Sequence, residues 1–253
     1  MTESNLTQQQ KQFRILLIGD NCTDVYQYGT IDRLSPEAPI PIFVPTHAEE
    51  RSGMAGNVAN NLEALGCHVN YLFGETSTKT RLIDSRSKQQ IVRIDNDIQS
   101  TPITFETDIP DVYDAIVVSD YNKGTVSYEL IEELIALSIP IFIDTKKTDL
   151  ERFQGAWVKI NELEYSKITS ECTGLIVTRG ARGASALHHD VDVPAPTVEV
   201  TDVTGAGDTF IAALAYQYLS TRDLTQAIKF AVQASAVTVQ HLGVYAPVLE
   251  EIV

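Results

Sequence analysis

Short apolar runs, each closed by a polar residue, set the terms for how this chain can fold. Phe13-Arg14-Ile15-Leu16-Leu17-Ile18-Gly19 ends at Asp20, and Ala115-Ile116-Val117-Val118 ends at Ser119-Asp120. Ile139-Pro140-Ile141-Phe142-Ile143 ends at Asp144, and Ala156-Trp157-Val158-Lys159-Ile160 ends at Asn161. Gly174-Leu175-Ile176-Val177 ends at Thr178-Arg179-Gly180. Runs this short and this continuously apolar read as strands buried on both faces. Helical spacing separates them: 53–65 carries Val58, Leu62 and Leu65 on one face, and 126–137 carries Leu130, Ile131, Leu134 and Leu137. Residues 209–219 and 224–240 make two further helices. Strands alternating with helices predict an α/β fold, a mostly parallel central sheet with helices on both faces. In such sheets ligands bind beyond the carboxyl ends of the strands, where Asp20, Asp120, Asp144, Asn161 and Thr178 with Arg179 would stand. Taken singly, each could equally cap the helix that follows it.

Two stretches break the rhythm. Residues 26–46 hold Pro36, Pro39, Pro41 and Pro45 among short alternating pieces, and 78–97 is polar with scattered β-formers. Both predict a small antiparallel β flap, a lid beside the main sheet. Residues 1–12 are expected to be a disordered tail and 13–253 a single domain. The chain carries 34 acidic and 19 basic residues, a net charge of −15, which opposes nucleic acid or an anionic membrane surface as a partner. The second flap segment is the exception, with Lys79, Arg81, Arg86, Lys88 and Arg93 close together. Cys22, Cys67 and Cys172 lack metal-ligand spacing and read as reduced thiols, and the start of the chain lacks the apolar core of a signal peptide. Both point to a cytoplasmic location.

The strongest local signal is Thr201-Asp202-Val203-Thr204-Gly205-Ala206-Gly207-Asp208-Thr209-Phe210, running into an apolar helix. Small residues at 205–207 let the backbone turn tightly into a helix start, whose free N–H groups bind anions. Asp208 beside such a cradle is no anion ligand. It suits a general base that takes a proton from a hydroxyl about to attack a phosphoryl group. From spacing alone, a glycine-rich turn whose Asp stabilises the first helical turn remains an equal alternative.

Asp202-Val203-Thr204-Gly205-Ala206-Gly207-Asp208 resembles the D-T-x-G-A-G-D signature of the ribokinase-like (PfkB) carbohydrate kinases, departing only at Val203. Ser35-Pro36-Glu37-Ala38-Pro39 and Ser119-Asp120-Tyr121 with Lys123-Gly124 are similar to the heptose 7-phosphate kinase branch of that family. The resemblance covers roughly residues 13–247. It implies a ribokinase-like fold and transfer of the γ-phosphoryl of ATP to a phosphorylated sugar, foremost the anomeric hydroxyl of a heptose 7-phosphate. It implies Asp208 as the base and the amides of Gly205, Ala206 and Gly207 as the anion hole. Asn161 and Glu164 match the family's N-x-x-E motif for magnesium. Asp24, Gly53 and Asn57 match sugar-binding positions. Thr178, Arg179, Gly180, Asn161 and Thr204 fall where the family lines the nucleotide phosphates. Lys79, Arg81 and Arg93 are the cations a sugar phosphate would need, with Asp120 and Lys123 completing that site. The implied cofactors are ATP and Mg²⁺, with a monovalent cation as an open third, and a homodimer through the lid is an open option.

Departures from the pattern matter. Gly53-Met54-Ala55-Gly56-Asn57 replaces the usual Gly-Gly-Ala-Ala-Asn, so Met54 stands where a glycine permits close approach to the sugar. The chain between Phe73-Gly74-Glu75 and Thr78 is short by roughly one βαβ-like unit of ~30 residues. Asp144-Thr145-Lys146-Lys147 stands where relatives often have Asp-Pro-Lys. The nucleotidyltransferase domain fused to some heptose kinases is not in this sequence, which predicts a trimmed, kinase-only chain. Two rivals stay open: a kinase for another sugar or a nucleoside, and a non-catalytic protein that binds sugar or nucleotide.

Overall fold

The computed structural model describes residues 12–104 and 112–252. The expected disordered tail lies, but for Gln12, outside the described residues. The elements in chain order are β1 (Arg14–Thr30), β2 (Val44–Met54), α1 (Ala55–Ala64), β3 (His68–Asp84), β4 (Gln90–Asn96) and β5 (Ala115–Asp120). There follow α2 (Tyr128–Ala136), β6 (Ile141–Thr145), β7 (Trp157–Asn161), α3 (Glu162–Tyr165), β8 (Leu175–Thr178), β9 (Ala184–Ala186) and β10 (Val191–Val193). The chain then builds α4 (Ala206–Thr221), α5 (Leu224–Thr238) and α6 (Leu249–Ile252).

One sheet holds the molecule together, in the order β10-β9-β8-β7-β6-β5-β1-β3-β4, with β2 pairing on β1. From β8 to β3 every neighbouring pair is parallel. The pattern of β1 shows why. Ile15 and Leu17 pack into one apolar cluster with Leu62, Ile211, Leu214 and Ile228, while Leu16 and Ile18 pack into another with Leu130, Ile131, Leu134 and Phe153. Helices α1, α4 and α5 thus cover one face and α2 the other. Each such side chain, withdrawn from water, contributes about 1.5–3 kcal/mol.

The flap grows out of this sheet. β1 passes a bulge between Gly19 and Asn21 and continues to Thr30, leaving β5 and pairing antiparallel with β2 from Asn21 onward. β3 accompanies it in parallel on the other side, and β4 adds an antiparallel edge to β3. The flap therefore mixes antiparallel pairs with one parallel pair. The first apolar run does not stop at Asp20, and β3, unread in the sequence as a strand of the main sheet, is one strand from core to flap. With so few residues between Phe73 and Thr78, no room exists for a detour, and the core strand runs directly into the lid. Among the described residues no helix is long and apolar enough to cross a membrane, and the three cysteines are buried and unpaired.

Candidate active site

α4 starts at the carboxyl end of the sheet, and its first turn is built for close approach. Gly205 caps it at φ 81°, a left-handed conformation that L side chains rarely adopt, and a Cβ there would meet Asn57 Nδ2 at 2.8 Å. Asp202 fixes the incoming loop by accepting bonds from the Thr204 amide (3.0 Å), the Thr204 hydroxyl (2.8 Å) and the Gly243 amide (2.9 Å). Burial works to raise the Asp202 carboxyl, but these backbone and hydroxyl donors outweigh it and hold it below the usual range. The amides of Gly205, Gly207 and Asp208 donate to no described residue. The Ala206 amide differs: it reaches back to the Val203 carbonyl at 3.3 Å. The turn thus offers a cradle of free N–H groups at a helix N-terminus, with Ala206 already partly engaged.

Asp208 lies in that first turn, 5% exposed. Asn57 donates to Oδ2 at 2.8 Å and the Tyr121 hydroxyl to Oδ1 at 2.9 Å. Burial, opposed by Asn57 and reinforced by the nearby charge of Asp144, pushes the carboxyl up to about 6. A carboxylate with that affinity for a proton, still ionised at neutral pH, is suited to general-base work. Burial and the charge of Asp208 keep the Tyr121 phenol protonated well above its ordinary range, so Tyr121 serves Asp208 as a donor.

Two hollows flank this turn. A polar cavity of about 110 Å³ is lined by Asp208, Gly205 and Thr204 from the α4 turn, and by Asp24, Gly53, Lys79 and Arg81 from the flap. Cys22, Met54, Tyr121 and Val244 complete it. On the other side lies an apolar cleft of about 340 Å³, lined by Ala206, Gly207, Thr178 and Gly180 together with Phe210, Val232, Ala236 and Val239. Consecutive residues of one turn therefore face different hollows, with Gly205 and Asp208 on the small polar side and Ala206 and Gly207 on the large apolar one.

The remaining expected residues are placed unevenly. Arg81 is ion-paired to Asp24 beside the Tyr26 ring, while Lys79 lines the cavity with no ion pair to a described residue. Asn57, expected to hold a sugar hydroxyl, spends its amide on Asp208. Thr204, expected among the nucleotide-binding residues, lines the polar cavity and not the apolar cleft.

Other expected site residues are tied up in the framework. Asp20 accepts from the amides of Tyr121, Lys123 and Thr125, tying down the loop after β5. Asp120 is taken by the Asn122 amide, the Thr145 hydroxyl and Lys147, so it braces the framework and does not line the cavity. Arg93 is bound to Asp95 on the exposed edge strand and Lys123 to Asp97, both away from the cavity. Arg179 turns to Asp192 on β10, although its neighbours Thr178 and Gly180 line the apolar cleft.

Asn161 and Glu164 form a reciprocal capping box at α3: the Asn161 side chain accepts from the Glu164 amide at 2.9 Å, and Glu164 accepts from the Asn161 amide at 2.8 Å. The other Glu164 oxygen meets Lys146. Among the described residues no three acidic, histidine or cysteine side chains converge as a metal cluster. One rigidly held carboxylate with an amide oxygen fits magnesium, which keeps several waters and draws its other ligands from phosphates.

Tyr121 and Lys159 are not among the site residues expected from the sequence, and Asp144 is expected there only as one of the polar strand ends. Tyr121 lies 87 residues from Asp208 in the chain, and only the Ser-Asp-Tyr stretch at a strand end pointed toward it.

Known proteins resemble this chain in sequence and in fold. Residues 154–251 match the pfkB family carbohydrate kinase profile. The chain is 33% identical to the bifunctional protein HldE of a Nitratiruptor species, covering 94% of this chain and 64% of that protein. It is also 33% identical to the bifunctional protein HldE of Aliivibrio salmonicida, covering 92% and 61%. The chain thus spans less than two thirds of the length of these relatives. The first alignment runs over 298 positions, more than this 253-residue chain contains, so the relative carries segments that this chain lacks. In fold it is similar to a ribokinase from Thermotoga maritima (TM-score 0.71, 16% identical, covering 95% of this chain and 98% of that one). The ribokinase of Arabidopsis thaliana complexed with ribose and ATP gives a TM-score of 0.70 at 14% identity, covering 96% and 98%.

Proposed function

The chain carries a PfkB carbohydrate kinase domain, and from that premise we propose that it transfers the γ-phosphoryl group of ATP to a phosphorylated sugar. The foremost acceptor is the anomeric hydroxyl of D-glycero-D-manno-heptose 7-phosphate. One observation carries the reading: a single helical turn, with a buried base and free amides, is the shared wall of a polar cavity and an apolar cleft. Two reactants in those hollows would meet across Asp208 and Gly207. That is the geometry an in-line transfer needs.

In this reading the sugar occupies the polar cavity. Its hydroxyls take the lone pairs of Asp24, and its phosphate draws Arg81 away from Asp24 and binds Lys79. Asp208 accepts the proton of the attacking hydroxyl while Tyr121 and Asn57 hold its two oxygens apart and in place. The nucleoside lies in the apolar cleft, and its terminal phosphate rests on the amides of Gly205 and Gly207. Removing one such donor typically costs on the order of 3 kcal/mol in the transition state. Glu164 and Asn161 would hold magnesium through its waters, and the ion, when bound, offsets the charge of the phosphates.

The acceptor is tested by ATP consumption with heptose 7-phosphate beside fructose 6-phosphate, ribose and adenosine. A kcat/KM for heptose 7-phosphate at least tenfold above the others supports the reading. Preference for adenosine or ribose, or calorimetric sugar binding without ATP consumption, overturns it. We further propose that two copies pair through the flap, where Val44, Val92 and Ile94 stand exposed. Sedimentation equilibrium checks this, and a monomer at micromolar concentration contradicts it.

A further inference from the structure

A buried ion pair lies beneath the proposed transfer site, and none of the roles above uses it. Lys159 on β7 and Asp144 on β6 stand opposite each other in the parallel register. They are 4% and 6% exposed, with Nζ and Oδ2 2.7 Å apart. Residue 159 sits between Val158 and Ile160, both fully buried, so a charge there interrupts a core strand. Such pairs are poor devices for stability, since desolvating two charges offsets much of their attraction. This one is also incompletely satisfied. Among the described residues Asp144 Oδ1 is buried with no hydrogen-bond partner, and the Lys159 ammonium, with three donors, bonds Asp144 alone.

Its position suggests what the spare capacity serves. A Cβ on Gly207 would fall 2.8 Å from Lys159 Nζ and 3.8 Å from Asp144 Oδ2. No side chain therefore separates the ammonium from the backbone of the cradle. The 2.7 Å contact with Asp144 Oδ2 holds the ammonium at that spot. The positive charge thus stands behind the free amide of Gly207, adding to the field of the helix N-terminus. The groups facing Asp208 are Tyr121 and Asn57 by hydrogen bond, Tyr71 from β3, Asp24, Lys79 and Arg81 across the cavity, and this pair below. Glu164 adds its charge to Lys159 from α3.

We propose that Lys159 and Asp144 are a positioning pair for phosphoryl transfer. Lys159 supplies the cationic floor under the Gly207 amide, where the oxygens of the terminal phosphate come to rest. Asp144 holds the ammonium there and cancels its pull on Asp208. The inference rests on the α4 turn being the transfer site.

The test uses Lys159→Met, Asp144→Asn and the double variant, read without turnover. The Asp208 carboxyl is followed by ¹³C NMR against pH, its signal assigned with Asp208→Asn. Calorimetry measures binding of ADP and of a non-hydrolysable ATP analogue. Lys159→Met is expected to move the Asp208 midpoint up by about one pH unit, Asp144→Asn to move it down by a similar amount, and the double variant to return it near wild type. Lys159→Met is also expected to weaken the ATP analogue at least tenfold more than ADP, because only the analogue reaches the cradle. Single variants that shift the midpoint alike, or not at all, would show that the pair does not act on Asp208, and a merely structural pair would leave the ratio of the two nucleotides unchanged. Either result overturns the proposal. Should Lys159→Met fail to fold with Asp144 left unpaired, the double variant decides, and an unchanged nucleotide ratio in it is contradictory. A wild-type chain that binds the analogue yet phosphorylates no sugar would defeat the kinase reading, while a selective loss of analogue over ADP binding in Lys159→Met would still uphold the pair.

Discussion

The two halves of β1 are one strand with two environments. Residues 15–19 are sealed on both faces and paired on both edges with parallel neighbours. Beyond the bulge, residues 21–30 alternate between buried and half-exposed, and β2 replaces β5 as the edge partner. The first half belongs to a framework that fixes α4 and its turn. The second half carries Asp24 and, through the register with β3, stands beside Lys79 and Arg81. In the proposed reaction the core holds Asp208 as base together with the amide cradle, and the flap holds the groups that would grip the acceptor. Changes on the core side should therefore act on kcat, and changes on the flap side on KM.

The largest expected effect is on the core side. Asp208→Asn should lower kcat about 10³-fold with the fold intact, as judged by circular dichroism. It also carries a stability signature. In wild type the Asp208 carboxyl is raised from 3.8 to about 6 in the folded state, so the folded chain holds this proton more tightly than the unfolded one. The resulting penalty is absent below the unfolded value, grows as pH rises through the folded value, and is complete above it. At about 1.4 kcal/mol per unit the penalty is at most ~3 kcal/mol. Thermal melts should show the Asn variant gaining relative stability between pH 4 and pH 7, and a difference that is flat with pH would contradict the assignment.

Next comes the flap. Arg81→Ala should raise KM for a phosphorylated sugar roughly 10- to 100-fold, the weight of a charge-assisted hydrogen bond, with kcat nearly unchanged. An equal effect on an unphosphorylated sugar would remove Arg81 from the phosphate site.

A smaller effect is expected at the boundary between the two regions. Tyr121→Phe removes a donor that holds the Asp208 carboxyl down. It should shift the acidic limb of kcat upward by about half a pH unit and lower kcat several-fold. A downward shift would reverse the assigned role.

The smallest effect should come from Arg93→Ala. Its guanidinium is bound to Asp95 on an exposed strand, and such pairs contribute about 0–1 kcal/mol. KM should stay within about twofold, and a large rise would extend the acceptor site to the flap edge.

How much of this was legible in the sequence follows from how local each signal is. Parallel strands buried on both faces must be apolar throughout, so β5, β6, β7 and β8 announced themselves. β3 did not, because His68-Val69-Asn70-Tyr71 mixes polar and apolar residues and the strand continues into the flap without a break. The Gly205-Ala206-Gly207-Asp208 box was readable because a tight turn into a helix has a fixed local chemistry. Its supporting groups were not, since Asn57 lies 151 residues away in sequence and Tyr121 lies 87. Lys159 was hidden by its own strand, where one charge among apolar neighbours passes for an edge residue. The basic cluster of 78–97 suggested one clamp of three cations. The cross-strand register instead sets Arg93 opposite Arg81 on β4, one strand farther out. Charge can be counted from sequence, but its distance from a cavity is set by pairing. Met54 shows the reverse case. The sequence marked it as replacing a glycine, and the backbone there keeps a positive φ of 51°, a strain of about 1–3 kcal/mol for a residue with a side chain.

If the α4 turn joins two substrate sites, acceptor and nucleotide must meet at it. A crystal structure with heptose 7-phosphate and a non-hydrolysable ATP analogue tests it most directly. The anomeric hydroxyl is expected within hydrogen-bond reach of Asp208, roughly 2.6–3.2 Å, and the terminal phosphate on the amides of Gly205 and Gly207. A sugar bound outside the cavity of Asp24, Lys79 and Arg81, or a phosphate seated away from that turn, would contradict it.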